Sequence, residues 1–478
     1  MIASPHPARP LRAARRVMAV LGLALGSCAI VPPPRDADLP LPANWSIPIA
    51  DTSVSGALAP DWWERFGDPR LSRLVAQALQ ANTDVLTAQT RLQQSRALRN
   101  AADASLRPGL SMSGSLQHRQ GEANSGNLVR PSFDANWIPD LFGGRRAALR
   151  AAEADAGASA STLEATRVTV AAEVATSYLQ WCGVQVRLAI ARDSLQRQRQ
   201  LQQIVQWRAQ AGLASSLEVE QSRTAVEQAE AQVPALWSSG AAWEHSLAVL
   251  IGMPPATWRA AWAGTSASAI PQPPVQLSAA VPADALRQRP DVAAAEAQLE
   301  AARQRVAQAE AGRRASLQAQ GSIAWSAVNI ASLGTAEAAR ALLGSMELPL
   351  FDAGSRLAQR DAQQAEYETS TIVYRARVLS ALAEVEDALS SLAATRERLG
   401  ALRLAAKAAD RAATLAATRY GSGVVDFQSV LETQRTLLTV QDGVAMSETD
   451  WSLGHVQLYK ALGGGWQPSS GDKQAPAS

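Results

Sequence analysis

The sequence predicts a mainly α-helical chain that carries two β-hairpins and is built as an internal duplication. A short junction motif occurs twice, as WIPDLFGGR at residues 137–145 and as LPLFDAGSR at residues 348–356. In both places a short alternation of apolar and polar residues precedes the motif, and a long run rich in Ala, Gln, Glu and Arg follows it. Because strands repeat with period two and helices with period 3.6, each copy predicts a strand that leads into a long helix.

The two junctions share their chemistry. Pro139 and Pro349 cannot donate to a β-ladder, and Gly143, Gly144 and Gly354 allow the backbone to turn before the first helical residue. Any connection between a strand and a helix can carry Pro and Gly, so one copy alone would mean little. Two copies at matching places in two similar halves indicate a duplication.

Composition excludes several classes of function. The chain has 45 basic and 43 acidic side chains, which interleave without forming basic blocks, so no nucleic-acid partner is expected. The 4 histidines lack metal-ligand spacing, and the carboxylates are spread along helical faces. We therefore predict no enzyme activity, no catalytic residues, no bound metal and no cofactor.

The N-terminus predicts export. Four arginines within residues 9–16 precede an apolar core at residues 17–25, which is too short to span a bilayer and is typical of a cleaved signal peptide. The segment LGSC at 25–28 resembles a bacterial lipobox, which implies lipidation of Cys28; the alternative is an ordinary cysteine near an ordinary cleavage site. Ala29 then implies sorting to the outer membrane, with an acyl anchor and a large periplasmic portion.

Cys182 is left without a disulfide partner and is expected to be buried.

The predicted divisions of the chain follow these features. They are a signal peptide at 1–27, an extended arm at 28–66, a first repeat at 67–255, a Pro/Ser-rich linker at 256–281, a second repeat at 282–463 and a polar tail at 464–478. Each repeat is expected to contain a helix, a hairpin, a long helix and a returning helix. The first helix should begin at Pro69 and run unbroken to about Leu106.

Four segments alternate apolar and polar residues, near residues 110–117, 133–137, 317–325 and 346–350. Alternation alone also fits two half-buried hairpins of a soluble sheet, but the export signal and the shortage of strands to cover a soluble core favour membrane strands. Even small barrels need about eight strands, and open edges are forbidden in lipid. One chain therefore cannot close a barrel, whereas three copies would supply twelve strands around a water-filled interior.

Each junction is followed by a predicted helix of about 65 residues, or about 100 Å. Gly212 in the first half, and Gly421 and Gly423 in the second, are predicted to turn the chain at the helix tips. The second long helix carries a heptad stripe that tapers from Leu to Ala, which predicts a narrowing tube. The stripe consists of Leu382, Val385, Leu389, Leu392, Leu399, Leu402, Ala406, Ala409, Ala413 and Ala416.

Several motifs in one order resemble a known family. They are Trp63 with Phe66, Asp68-Pro69 and Leu71; the two junctions; HSLAVLIG at 245–252; RPDV at 289–292 with Ala295-Glu296; Arg419-Tyr420 with Gly423; Leu431 with Gln434-Arg435; and LYKALGGGW at 458–466. Over essentially the whole mature chain, the sequence resembles the TolC-like outer-membrane efflux factors. It is most similar to the NodT-type lipoprotein branch that serves resistance-nodulation-division (RND) pumps.

The resemblance implies a TolC-like fold, in which a homotrimer forms a twelve-stranded β-barrel continuous with a long periplasmic α-helical barrel. It also implies three kinds of partner, namely a periplasmic adaptor (membrane fusion) protein, an inner-membrane RND-type pump and outer-membrane lipid. The expected function is a passive export duct for drugs or other small toxic molecules.

Gln428, Glu432 and Arg435 are the candidate periplasmic gate. They stand at i, i+4 and i+7 just after the second tip and so share one helix face, which would form stacked rings in a threefold tube. Glu432 and Arg435 match family positions for an acidic constriction and a bridging arginine, whereas Gln428 departs from an often apolar position and argues against a hydrophobic seal. The alternative is a simple surface ion pair between Glu432 and Arg435.

Other functions stay open at this stage. A periplasmic adaptor lipoprotein would need a small β-sandwich or lipoyl-like domain and a single hairpin. A structural trimeric stalk would lack the polar strand faces that a lumen requires. A duct for protein secretion is a further alternative, and nothing in the sequence identifies the exported compound.

Overall fold

The computed structural model describes residues 30–34, 42, 45–46, 60–120, 126–262, 264, 267, 269–273, 286 and 289–466. The predicted signal peptide, Cys28, much of the predicted extended arm, part of the linker and most of the C-terminal tail lie outside these residues. The chain divides into two compact units. The strand unit contains the described residues of Met1–Asp38, Arg91–Ala160 and Ala294–Arg375, and the helical unit contains those of Leu39–Thr90, Ser161–Ala293 and Ala376–Ser478.

Eight described helices and four described strands alternate in a repeated order. They are α1 (Pro69–Ala81), α2 (Thr83–Ala104), β1 (Gly109–Arg119), β2 (Gly126–Trp137), α3 (Gly144–Gln210), α4 (Ser216–Leu250), α5 (Pro255–Trp262), α6 (Pro290–Ala311), β3 (Ser316–Trp325), β4 (Ala338–Glu347), α7 (Ser355–Gly421) and α8 (Phe427–Ala461). Short 3₁₀ turns occupy Trp62–Phe66 and Ile330–Thr335.

Corresponding helices of the two halves have equal lengths. Helices α3 and α7 each have 67 residues, α4 and α8 each have 35, and α2 and α6 each have 22. This agreement supports the duplication predicted from the junction motifs. Among the described residues, no helix combines the length and the apolar composition needed to cross a bilayer.

The strand unit is built on one antiparallel sheet with the order β1-β2-β3-β4. The two hairpins predicted from alternation are confirmed, and β2 pairs with β3 to join them. The predicted position of the last strand was wrong, because β4 ends at Glu347 and leaves Leu348 and Leu350 outside the ladder. Pro349 has no N–H to donate, so the ladder cannot extend through it.

The first helix is also interrupted, contrary to the prediction of an unbroken run to Leu106. Asn82 has an extended backbone between α1 and α2, and its side-chain oxygen accepts hydrogen bonds from the amides of Asp84 and Val85 at 2.8 and 3.3 Å. Its amide nitrogen donates to the carbonyl of Leu250 at 3.0 Å. Asn82 therefore caps α2 and ties it to the end of α4.

The helical unit buries the heptad stripe of α7. Seven members of the predicted stripe are buried and the other three are half-buried. Val385, Leu389 and Leu392 pack with Trp451 and Leu458 of α8. Cys182 is fully buried in α3, as predicted, and burial raises the pKa of its thiol to about 12. The contacts of Val385, Leu389 and Leu392 hold α7 against α8.

Candidate functional site

The sheet has two chemically different faces. The strand registers place the even-numbered residues of β1 and β4 on one face with the odd-numbered residues of β2 and β3, because directly paired residues point to the same side. We call this the apolar face, because most of its side chains are apolar. It consists of Leu110, Met112, Gly114, Leu116, His118, Asn127, Val129, Pro131, Phe133, Ala135, Trp137, Leu317, Ala319, Gly321, Ile323, Trp325, Ala338, Arg340, Leu342, Gly344 and Met346.

The opposite side, the polar face, carries a hydrogen-bonded network. Asp134 Oδ2 accepts from Ser132 Oγ at 2.7 Å and from Ser113 Oγ at 3.0 Å, and the two hydroxyls lie 2.7 Å apart. Beside them, Gln318 donates to the side-chain oxygen of Asn136 at 3.0 Å. Since these groups bond to one another while remaining accessible, the polar face suits contact with water.

The two junctions fix where each hairpin leads into its long helix. Gly143 and Gly354 have φ of 81° and 84°, which side-chain-bearing residues rarely adopt. Gly144 has no room for a side chain, because a Cβ there would lie 2.8 Å from the Cβ of Ala311. Pro139 and Pro349 lie between the ends of β2 and β4 and these glycines.

An aspartate caps each junction. Asp140 accepts from the amides of Arg145 and Arg146 at 3.1 and 3.0 Å, and Asp352 accepts from the amide of Arg356 at 3.2 Å. Burial alone would raise the pKa of Asp140, but these hydrogen bonds and the Arg146 charge hold it below its ordinary value. An arginine near each capping aspartate makes a further hydrogen bond at the junction. Arg145 donates to the carbonyl of Ser105, and Arg356 donates to the carbonyl of Gly312.

The helix tips use the same turn twice. The amide of Leu213 donates to the carbonyl of Arg208 at 2.7 Å, and the amide of Val424 donates to that of Arg419 at 2.9 Å. Gly212 and Gly423 supply the required positive φ of 70° and 74°. Gly421 lies two residues before Gly423, as the last residue of α7, and does not have a positive φ.

Each returning helix starts from a capped residue. Ser215 and Glu218 form a reciprocal capping box at α4. At α8, Asp426 accepts from the hydroxyl of Ser429 at 2.5 Å and from its amide at 2.9 Å, and these two hydrogen bonds lower the pKa of the Asp426 carboxyl. Capping by Asp426 therefore stabilises the first turn of α8 directly after the tip.

The candidate gate residues all lie on the exposed side of α8. Gln428, Glu432 and Arg435 are exposed, whereas Phe427 and Leu431 beside them are buried. Among the described residues of one chain, Glu432 and Arg435 do not form an ion pair with each other. One protomer thus presents an exposed carboxylate and an exposed guanidinium on the same helix face.

The sequence prediction missed a cluster behind this face. Arg208 stacks on Tyr420 with 4.6 Å between the guanidinium carbon and the ring centroid, and Phe427 lies 5.6 Å from the same ring. The cluster includes Leu201, Val205, Ala225, Ala416, Tyr420, Phe427, Val430 and Leu431. The signal for this cluster in the sequence was that Arg208 and Arg419 each lie four residues before a tip glycine, Gly212 and Gly423.

Within the described part of the chain, no group of three or more His, Cys, Asp or Glu side chains could hold a metal ion. The candidate site consists of the four paired strands, the two junctions and the two helix tips. The outer membrane efflux protein family matches residues 74–253 and 281–464. This chain belongs to the outer membrane efflux protein family.

Individual relatives of this efflux protein agree with that assignment. The pyoverdine export outer membrane protein OpmQ of Pseudomonas aeruginosa is 32% identical over 458 residues, covering 93% of this chain and 95% of OpmQ. Nodulation protein T of Rhizobium leguminosarum bv. trifolii is 26% identical, covering 96% and 99%. The solved structure of the outer-membrane channel OprN matches with a TM-score of 0.83 and 29% identity, covering 92% of this chain and 100% of OprN.

The efflux protein thus has the fold of TolC-like outer-membrane channels, as its resemblance implied. The family match covers both repeats, and its two segments leave out most of the linker between them.

Proposed function

We propose that three copies of this efflux protein form the outer-membrane duct of a tripartite, RND-type efflux system. The single observation that carries the proposal is a four-stranded sheet with one apolar face, one polar face and two unpaired edges. The relatives support it, because OpmQ is described as a pyoverdine export protein and OprN as an outer-membrane channel.

The edges explain why copies must associate. Strands β1 and β4 are outermost in the sheet, and every residue of β4 is exposed. An unpaired edge leaves N–H and C=O groups without partners, which lipid cannot supply. Four strands are too few to close on themselves, whereas pairing β4 of one copy with β1 of the next in threefold symmetry closes a twelve-stranded barrel.

The faces then determine what the barrel encloses. With the apolar face toward lipid, the Ser113, Ser132 and Asp134 network lines the interior. Such a lining suits a water-filled passage in which solutes move without a bound cofactor or a chemical step. The duct is therefore passive, and energy comes from an inner-membrane pump joined to it by a periplasmic adaptor protein.

Two finer features belong to the same proposal. Lipidation of Cys28 anchors the mature chain to the outer membrane, with most of its residues in the periplasm. In the trimer, Glu432 and Arg435 of neighbouring copies face one another and form the periplasmic gate, together with Gln428. Drugs or other small toxic molecules are the proposed cargo.

The decisive experiment combines native mass spectrometry of the detergent-extracted protein with single-channel recording in planar bilayers. We expect a trimer that conducts ions. A lone protomer would contradict the barrel, and a trimer without conductance under any voltage or gate variant would indicate a structural stalk. Mass spectrometry of the same sample should show an acylated N-terminal Cys28, and an unmodified N-terminus would remove the anchor from the proposal.

A further inference from the structure

Arg340 is a charged residue on the apolar face of the sheet. It lies on the apolar face, where its direct partner across the ladder is Ile323 and its neighbours two residues away along β4 are Ala338 and Leu342. Among the described strand residues it is the single Asp, Glu, Lys or Arg side chain on that face. Arg130 and Asp134, by contrast, lie on the polar face.

The guanidinium of Arg340 has no partner among the described residues. It is exposed, and neither a hydrogen bond nor an ion pair of Arg340 occurs in the part of the chain that the structure describes. The other polar side chains of the apolar face satisfy each other, because His118 and Asn127 are hydrogen-bonded at 2.7 Å. Glu337, the nearest carboxylate in sequence, precedes β4, and no ion pair between it and Arg340 occurs among the described residues.

The described strands of a neighbouring copy offer no carboxylate to Arg340. Closing the barrel brings β1 of the next protomer beside β4, and the apolar face of β1 contains only Leu110, Met112, Gly114, Leu116 and His118. Because every copy carries the same four strands, the described apolar face holds no carboxylate anywhere around the barrel. Among the described strands, Arg340 therefore faces no carboxylate and is available to an anion from outside the protein.

The position of Arg340 along its strand indicates where that anion lies. Arg340 is seven residues from Glu347, the end of β4 nearest α7. At about 3.4 Å per residue and a tilt of about 40°, it stands roughly 18 Å above that end, within a lipid-facing band about 25 Å tall. An arginine side chain extends roughly 6 Å and reaches the hairpin-side boundary of the band by snorkelling.

An aromatic pair marks the same boundary. Trp325 is directly opposite Ala338, two residues from Arg340, and its ring lies edge-on to Phe133 with 6.2 Å between centroids. Tryptophan is enriched where barrel surfaces meet lipid headgroups. Arg340 therefore lies just below a headgroup-level tryptophan on the side away from the helices, which is the outer leaflet if the helices are periplasmic.

From this geometry we infer that Arg340 binds a phosphate group of an outer-leaflet glycolipid, one lipid for each protomer. A planar guanidinium can donate two parallel hydrogen bonds to phosphate oxygens, and it loses less hydration than an ammonium would. The inference rests on the proposed barrel, because it needs the apolar face to contact lipid.

The test titrates delipidated trimer in detergent with diphosphoryl lipid A and counts bound lipids by native mass spectrometry. Wild-type protein should bind up to one lipid per protomer at this site. Arg340→Gln should weaken this binding about tenfold, as expected for loss of a charge-assisted hydrogen bond, and Arg340→Lys should have an intermediate effect. Fully dephosphorylated lipid A should bind wild type and Arg340→Gln equally.

Controls separate this inference from the proposed duct. Arg130→Gln removes a similar charge from the polar face and should leave lipid binding unchanged. Arg340→Leu should still give a conducting trimer, because it removes a charge from the lipid-facing surface.

Equal binding of lipid A by wild type and Arg340→Leu would overturn the inference while leaving the duct intact. Full competition by millimolar inorganic phosphate would overturn it too, because the site would then be a general phosphate site. Absence of a wild-type trimer would instead contradict the duct.

Discussion

The guanidinium of Arg208 covers the ring of Tyr420 and also donates through Nη1 to the Tyr420 carbonyl oxygen at 2.9 Å. Arg208 is near the end of α3 and Tyr420 near the end of α7, so one side chain holds the last turns of two long helices together. Tyr420 is 2% exposed, and burial raises the pKa of its hydroxyl. This contact stabilises the tip from which α8 and the candidate gate begin.

Tyr420→Ala should therefore destabilise the helical unit by about 3–5 kcal/mol, the usual cost of removing a buried aromatic ring. Tyr420→Phe is the matched control. The Tyr420 hydroxyl is buried without a hydrogen-bond partner among the described residues, so its removal should be nearly neutral. Thermal unfolding and limited proteolysis at the tips would measure both variants, and similar losses in the two would show that the ring is not the stabilising element.

The double variant Glu432→Ala/Arg435→Ala should raise single-channel conductance, because it removes the charged rings proposed to close the tube. Lys407→Ala/Asp410→Ala is a suitable control, since it removes an exposed opposite-charge pair with the same spacing from α7. The control should leave conductance unchanged. An unaltered closed state in the first variant would remove Glu432 and Arg435 from the gate.

Gly183→Ala should destabilise the contact between α3 and α8 by about 1–3 kcal/mol. A Cβ at this position would meet Thr449 Oγ1 and lie 3.1 Å from Cγ2. Thr449 is buried, and its hydroxyl donates to the carbonyl of Ala445 at 2.9 Å, so it cannot rotate away without losing a hydrogen bond. The double variant Gly183→Ala/Thr449→Ala should recover most of the loss.

Gly400→Ala should have the opposite effect on stability to Gly183→Ala. Gly400 lies inside α7, and a methyl group added there would have no neighbouring atom within 4 Å. The better helix propensity of Ala should then stabilise the protein by about 0.5–1 kcal/mol. Chemical or thermal unfolding should therefore shift in opposite directions for the two glycines. Equal shifts would contradict the close approach at Gly183.

Acid should weaken the ion-pair cluster at the start of α6. Arg289, whose side chain is 7% exposed, contacts Asp291 and Glu384 at 2.8 and 2.7 Å and donates to the carbonyl of Ala461 at 2.8 Å. Burial alone would raise the pKa of Asp291, but the hydrogen bonds and charge of Arg289 hold it below its ordinary value of 3.8. Its contribution is therefore present at neutral pH and is lost as pH falls below about 4 toward the lowered pKa.

Asp291→Asn should flatten the fall in melting temperature over that acidic range and lower the melting temperature at pH 7. Arg289→Met leaves two carboxylates without their cation and should cost about 3–5 kcal/mol at neutral pH. Melting curves between about pH 7 and pH 2 would measure both effects. An unchanged acid response in Asp291→Asn would assign the pH dependence to other carboxylates.

Local chemistry predicted much of this fold. Gly212 and Gly423 were identified because a helix that reverses needs a left-handed residue, and both have positive φ. The burial of Val385, Leu389 and Leu392 followed from their heptad spacing. Asn82 was missed, because a single capping residue inside a continuous helical pattern changes the hydrogen bonding without changing the hydrophobic period.

Contacts between distant parts of the sequence could not be predicted in this way. The stacking of Arg208 on Tyr420 depends on how two long helices align, which no local pattern encodes. The isolation of Arg340 became visible only once the strand register placed it opposite Ile323, because a shift of one residue would have moved it to the polar face.

The equal lengths of α3 and α7 also constrain how such a gene can change. Deleting one heptad from α3 alone would carry Arg208 about 10 Å away from Tyr420, at about 1.5 Å per residue. Deleting the corresponding heptad from α7 as well would restore the contact. Insertions and deletions in these helices should therefore be inherited in matched pairs, because the length of each long helix constrains the length of the other.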